Sequence, residues 1–293
     1  MIKLSFVYTK NLVILMEWTG EDILQKRKEF GDRFFSFLVL DIETVIDEDM
    51  FQSIADSREK EKKENGEFLP NPYHKVVAFS YLLVKNKKID SFCAYVSKDE
   101  KKVISKFWEV FRKSHQFTIK DKNRIYIKNF PVLITVNGKD FDLPVLKLRT
   151  LKYMRYIDDK QRLDTNKKSL SIRRFINMYM DKFDKWEEVF PRYTNRYTPY
   201  HIDISVDIFG GRKVSLKKLC YLCNIPVKQE GEGDIVFQLF NENNLTQIAR
   251  YCAEDVKATA MLFAYINKYL LGDVYKFGSF EQIQKQEPTI EEL

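Results

Sequence analysis

The stretch Phe35-Ser-Phe-Leu-Val-Leu-Asp41-Ile-Glu43-Thr44 decides how the rest of the chain is read. From Phe35 to Ile42 it is almost continuously apolar, the pattern of a strand buried on both faces. Two carboxylates sit where it ends. Residues two apart on a strand project to the same side, so Asp41 and Glu43 converge as the strand leaves the core. Like charges held together there are costly unless a cation neutralises them. Oxygen donors of this kind suit hard divalent ions such as Mg²⁺ or Mn²⁺. So short a pattern also fits a salt bridge to a helix or a turn cap beyond the strand.

Downstream, the charge run Glu59 to Glu64 reads as a solvated loop. His74 to Val84 and Ile89 to Val96 read as strands, with Lys85-Asn86-Lys87-Lys88 as the polar turn of a hairpin. Asp99 is placed to cap a helix whose apolar stripe is Val103, Ile104, Phe107, Val110 and Phe111. Val132 to Val136 is a further buried strand, followed by a helix over Phe141 to Tyr153. Residues 154–195 read as charged helical pieces, His201 to Ser205 as a strand and Ser215 to Cys223 as a helix. The last long helix starts at Asn244-Leu-Thr-Gln247, where Asn244 caps and Gln247 reaches back. Its stripe runs through Leu245, Ile248, Cys252, Val256, Thr259, Phe263, Ile266 and Leu270, and Gly272 ends it. Three strands, a helix, then alternating strand and helix predict a mixed α/β sheet of about five strands with helices on both faces. Residues 1–35 form an extension without a clear period, 36–272 one domain and 273–293 a tail.

The composition supports a folded core: 293 residues, 44% hydrophobic and 14% aromatic, exclude fibrous and disordered classes. A net charge of +7 is compatible with a polyanionic partner without requiring one. Four cysteines make no disulfide scaffold and point to a reducing cytoplasm. Cys220 and Cys223 form a C-x-x-C with no second pair to complete a zinc site, so both read as packing residues. Leu12 to Met16 is too short to span a bilayer and lacks a signal-peptide cleavage site.

Two further motifs follow Asp41 and Glu43. Asn137-Gly-Lys-Asp-Phe141-Asp142-Leu-Pro leaves the fourth strand, with Gly138 permitting a tight exit and Asp142 in the first turn of the next helix. A carboxylate there is favoured by the helix N-terminus whatever its function. Strand ends and adjoining helix starts are also where α/β sheets bind ligands. In Tyr251-Cys-Ala-Glu-Asp255-Val, residues four apart put Tyr251 and Asp255 on one helix face, at the border of the apolar stripe. Tyr95/Asp99 and Tyr269/Asp273 have the same spacing but fall at element ends. The order and context of the three motifs carry the argument, not any one alone.

On these residues the chain resembles the DEDDy branch of the DnaQ-like, ribonuclease H-fold 3′→5′ exonucleases, in particular stand-alone proteins related to the exonuclease domain of family-B DNA polymerases. Asp41-Ile-Glu43-Thr44, Asn137 to Leu146 and Tyr251 to Thr259 match its three motifs. His201-Ile-Asp203 and Ser215-Leu216…Asn224-Ile-Pro226-Val-Lys228 are similar to its connecting segments. The resemblance spans about residues 36 to 270. It implies that Asp41, Glu43, Asp142 and Asp255 hold two Mg²⁺ or Mn²⁺ ions, that Tyr251 orients the attacking water, and that nucleoside 5′-monophosphates are released. It implies substrate contacts from Thr44, Asn137 and Phe141, though Phe141 fits simple core packing equally well. Val136 stands where this group commonly has His. Ser114 to Phe130 and the N-terminal extension look longer than the family minimum.

The expected partner is single-stranded nucleic acid with a free 3′ end, DNA favoured over RNA. Residues 147–174 hold ten Lys/Arg against three acids, a composition suited to a phosphate track. Arg192-Tyr193-Thr-Asn-Arg196-Tyr197 interleaves rings and cations in the same sense. Ordinary solvated helix and loop is the competing reading for both. An exoribonuclease of the ribonuclease D kind and an inactive nucleic-acid-binding module are the alternative functions.

Overall fold

The computed structural model describes residues 4–7, 13–16, 19–119, 125–157, 172–180, 193, 198–210, 214–227 and 234–293. The first elements are a two-stranded antiparallel hairpin, β1 (Leu4–Val7) and β2 (Val13–Met16), and helix α1 (Gly20–Gly31). Gly31 is buried where α1 meets the body of the protein. A Cβ there would lie 1.9 Å from the Val274 carbonyl oxygen, so only glycine allows this approach.

The apolar run becomes β3 (Ser36–Ile46), longer than the sequence pattern predicts. Helices α2 (Glu48–Ile54) and α3 (Ser57–Glu64) follow. The charge run expected as loop is thus an exposed helix, held by a capping box in which Asp56 accepts from Glu59 N–H at 2.9 Å and Glu59 accepts from Asp56 N–H at 3.0 Å. It has no apolar stripe, which is why periodicity missed it. Strands β4 (His74–Lys85) and β5 (Lys88–Val96) form the expected hairpin, with Asn86 and Lys87 both at positive φ in its turn. Asp99 caps α4 (Glu100–Ser114), accepting from Lys101 N–H at 3.0 Å. The long connection after α4 forms a separate hairpin, β6 (Gln116–Ile119) and β7 (Ile125–Asn129).

Strand β8 (Val132–Thr135) leads into α5 (Asp142–Tyr153), then come α6 (Ile172–Met180) and β9 (His201–Asp203). The expected strand end at Ile204 and Ser205 is instead the start of a π-helical turn, Ile204–Ile208. Helices α7 (Leu216–Leu222), α8 (Asp234–Asn241) and α9 (Leu245–Tyr269) complete the helical layer. Asn244 occupies the N-cap position of α9 but makes no side-chain capping bond, so the predicted capping box is absent. Residues 273–293 pack against the rest of the protein. They contain α10 (Phe280–Gln284) and β10 (Thr289–Glu292), and Phe277 and Ile283 are core residues.

The main sheet is mixed and six-stranded, in the order β10-β5-β4-β3-β8-β9. The architecture is ribonuclease H-like. Strand β3 pairs antiparallel with β4 and parallel with β8, while β10 adds parallel to β5 at the edge. Side-chain alternation divides β3 between two cores. Phe37 and Val39 face the side covered by α7, α8, α9 and α10. Leu38, Leu40 and Ile42 face α4, α5 and α6. Asp41 and Glu43 continue the first series, so the sheet turns both toward α9.

Both members of the C-x-x-C are free thiols; Cys220 is buried on α7 and Cys223 partly buried. No described helix is long and apolar enough to cross a membrane.

Candidate active site

The site forms where β3 runs out beneath α9. A register shift falls between Glu43 and Thr44, immediately after the second carboxylate. Such bulges bend a strand and re-aim its side chains. Asp41, Glu43, Tyr251 and Asp255 are half-buried, and Asp142 is buried.

Carboxylate and thiol atoms of Asp41, Glu43 and Cys252 lie within 4.8 Å of one another. Asp142 and Asp255 do not join that trio at the same spacing, yet their charges act on Asp41. Burial first, then the charges of Asp142, Glu43 and Asp255, hold the Asp41 carboxyl well above the usual carboxylate range. Burial likewise pushes Asp142 up to about 7, aided by the charge of Asp203 and opposed by hydrogen bonds from its own backbone and that of Ile42. Four acids from three distant parts of the chain therefore share one electrostatic environment. Gathering them there favours the protonated form of Asp41 and Asp142 unless a positive charge stands beside them.

Sequence reading assigned Cys252 to the apolar stripe of α9. It is that, being fully buried, but it also borders the carboxylates. Its Sγ lies 3.5 Å from the Asp41 carbonyl oxygen and 3.7 Å from Asp41 Oδ2. Burial, then Asp41, Glu43, Asp255 and Asp142, raise the thiol well above its ordinary value, so it stays protonated and donates to Asp41. Tyr251 lies one helical turn before Asp255 and is partly buried against the α9-side core.

The turn after β8 is fixed by a residue whose role sequence reading missed. Asp203 is fully buried at the end of β9 and accepts from Asn137 N–H at 3.0 Å and Lys139 N–H at 2.9 Å. Asn137 has φ 63°, so these two N–H groups point into one concavity that the carboxylate fills. The Asn137 Oδ1 accepts from Ser205 Oγ at 2.7 Å. A Cβ on Gly138 would stand 2.5 Å from the Thr135 side chain, which is why this exit needs glycine. The turn delivers Asp142 to the first position of α5. Only the H-x-D pattern at His201 and Asp203 could have signalled the clamp.

Thr44 follows Glu43 on β3 and Phe141 precedes Asp142, and both meet His74. Thr44 Oγ1 is 3.0 Å from His74 Nδ1. Phe141 is half-buried, packing on the α4/α5 core while its ring meets His74 and Phe68. Its core packing is thus established.

The two proposed nucleic-acid tracks need correction. Arg149, counted in the basic stretch, is buried and bound to Glu100 and Asp47. Lys152 also pairs with Asp47. Tyr193 is buried with its hydroxyl donating to the Pro131 carbonyl at 2.8 Å, so it cannot stack bases. Residues 158–171, including Lys167 and Lys168, and the remainder of the Arg192–Tyr197 motif lie outside the described residues.

A family model described as a predicted 3′-5′ exonuclease related to the exonuclease domain of PolB matches residues 66–290. The chain belongs to this family. The match includes Asp142, Tyr251 and Asp255, while Asp41 and Glu43 lie before it. No curated relative matches the chain.

Proposed function

Because the chain is a member of this predicted 3′-5′ exonuclease family, we propose that it removes nucleotides one at a time from the 3′ ends of single-stranded DNA, releasing nucleoside 5′-monophosphates. The observation that carries the reading is that Glu43, Asp142 and Asp255, from three distant parts of the chain, all lie close enough for their charges to act on Asp41. Burial and repulsion raise Asp41 and Asp142, and a cation would relieve both. The all-oxygen carboxylate set fits Mg²⁺ or Mn²⁺, with the neutral Cys252 thiol as a neighbour. Asp41, Glu43, Asp142 and Asp255 would hold two ions. When bound, these would supply charge stabilisation at the scissile phosphate and a more acidic water.

The remaining contributions belong to the chain itself. Tyr251, on the same helix face as Asp255, orients the attacking water through its hydroxyl. Thr44 and the backbone beside it receive the terminal 3′-OH. Asn137 and Phe141 flank the last nucleotides. Asp203 keeps the Asn137–Lys139 turn rigid, so that Asp142 keeps its place beside Asp41.

The test uses 5′-labelled single-stranded DNA and RNA of one sequence with Mg²⁺ or Mn²⁺, comparing wild type with Asp255→Ala. Stepwise shortening of DNA by wild type alone is expected. Shortening of RNA only would favour the ribonuclease D-like alternative. Failure to shorten either strand under both metals would remove the enzyme reading in favour of a binding module.

A further inference from the structure

The loop between α3 and β4 presents an aromatic ring against Phe141, the residue before Asp142, and His74, which contacts Thr44, the residue after Glu43. Phe68 is 63% exposed, yet its orientation is fixed. It stacks on the His74 imidazole with centroids 4.7 Å apart and planes 24° from parallel. It meets Phe141 edge to face at 5.3 Å, and His74 meets Phe141 at 5.0 Å.

The ring beneath Phe68 is itself anchored. His74 Nε2 lies 3.1 Å from the Leu69 carbonyl, which can only accept, so Nε2 carries the proton. Nδ1 then accepts from the Thr44 hydroxyl at 3.0 Å. Asn71 Nδ2 donates to the Asp140 carbonyl at 3.0 Å and ties the loop to the turn before Asp142. Single exposed apolar side chains are common and need no explanation. Here, one face of the ring is covered by a held imidazole. Its neighbours, Thr44 and Phe141, each adjoin a carboxylate of the site.

We propose that Phe68 is the stacking surface for the nucleobase of the 3′-terminal nucleotide, an inference that rests on the exonuclease reading. Every base has a π-face, so such a surface grips an end without reading its identity. His74 and Phe141 are positioning residues that keep the ring from collapsing onto the sheet. The site then prefers an end that carries a base over one that does not, and shows little preference among the four bases.

The experiment uses two single-stranded DNA oligonucleotides that differ only in a normal or an abasic 3′-terminal nucleotide. Binding is measured with Ca²⁺ in place of Mg²⁺, and shortening with Mg²⁺ or Mn²⁺. Wild type is expected to bind the base-bearing end on the order of tenfold more tightly than the abasic end. Phe68→Ala should lose most of that ratio and Phe68→Tyr should keep it. Phe68→Leu, which keeps apolar bulk without a π-face, should behave as Phe68→Ala and provides the same readout if alanine loosens the loop. An undiminished ratio in both Phe68→Ala and Phe68→Leu, from a wild type that shortens DNA, overturns this inference and leaves the nuclease reading standing. A wild type that shortens neither strand overturns both.

Discussion

Arg149 donates from Nε and Nη2 to the two carboxylate oxygens of Glu100, at 2.7 and 2.5 Å, and both residues are buried with almost no exposure. Nη2 also reaches Asp47 at 2.5 Å, and Nη1 the Pro72 carbonyl at 3.0 Å. Glu100 further accepts from Val76 N–H and from the Tyr153 hydroxyl, both at 2.8 Å. One guanidinium thus joins α5 to α4, to the segment before α2 and to the turn before β4, while Glu100 reaches β4 itself. Burial alone would raise the Asp47 carboxyl, but the hydrogen bonds and charges of Lys152 and Arg149 bring it down to about 2.

Removing the guanidinium leaves two carboxylates without their buried partner. Arg149→Ala is expected to destabilise the protein by about 3–5 kcal/mol, read as a lower urea midpoint. Arg149→Lys should recover only part of this, because an ammonium cannot reproduce the planar fork. A midpoint within error of wild type for Arg149→Ala would show that the cluster is not structural.

Two buried histidines should make stability acid-sensitive. Burial lowers His201 to about 4 and His115 to about 3, so both are neutral in the folded protein at neutral pH. The unfolded chain protonates them near pH 6.5, as expected for free histidine. The unfolded state therefore binds more protons between about pH 6.5 and the folded values, and stability falls as pH falls through that window. For His201 the slope is about 1.4 kcal/mol per pH unit. The stability difference between wild type and His201→Gln, followed by urea unfolding from pH 7 to 4.5, should shrink at about that rate. A difference independent of pH would refute it.

Gly138→Ala places a methyl group 2.5 Å from both Cβ and Oγ1 of Thr135. Thr135 cannot move freely, since Oγ1 lies 2.8 Å from His201 Nε2. Overpacking of this sort costs about 1–3 kcal/mol, and the turn that carries Asp142 must shift. The variant should therefore melt at lower temperature and lose nuclease rate beyond what its folded fraction explains. Thr135→Ser should not rescue it, because the Cβ remains.

Divalent metal should stabilise the folded chain. On the proposed reading an ion held by the assembled carboxylates but not by the unfolded chain, Mg²⁺ or Mn²⁺ at about 100 times its dissociation constant, would add about 2.7 kcal/mol. The melting temperature should rise with metal in wild type and much less in Asp41→Asn. Equal shifts in the two proteins would place the ion elsewhere.

Elements that carry their own pattern were legible in the sequence. Strand β3 announced itself by an apolar run too long for a surface strand, and α9 by an eight-residue stripe at helical spacing. The β4–β5 turn was plain from four polar residues between apolar runs. Strand and helix periods could say which side Asp41, Glu43 and Asp255 face, while singling out Tyr251 and Asp255 also needed the resemblance. Elements whose identity depends on a distant partner were hidden. Strand β10 is four residues, Thr-Ile-Glu-Glu, and is a strand only because β5 offers an open parallel edge. Arg149 looked like one more cation in a basic stretch, since nothing local reveals that Glu100 and Asp47 close around it. Asp203 and Cys252 were similarly opaque: one meets its partners across 66 residues, the other across 211.

That last separation has a consequence for how activity arises. Asp41 is near one end of the chain, and the helix bearing Cys252 and Asp255 is near the other, so neither half holds a usable centre. Loops of this length close late and slowly relative to local hairpins and helices. A chain halted during synthesis before residue 245 would already expose Asp41 and Glu43 to water. Lacking Asp255 and the cover of α9, it would not yet hold the site as proposed. On the proposed reading the centre is complete only once every residue from Asp41 to Asp255 has been made, an interlock written into connectivity and requiring no inhibitor.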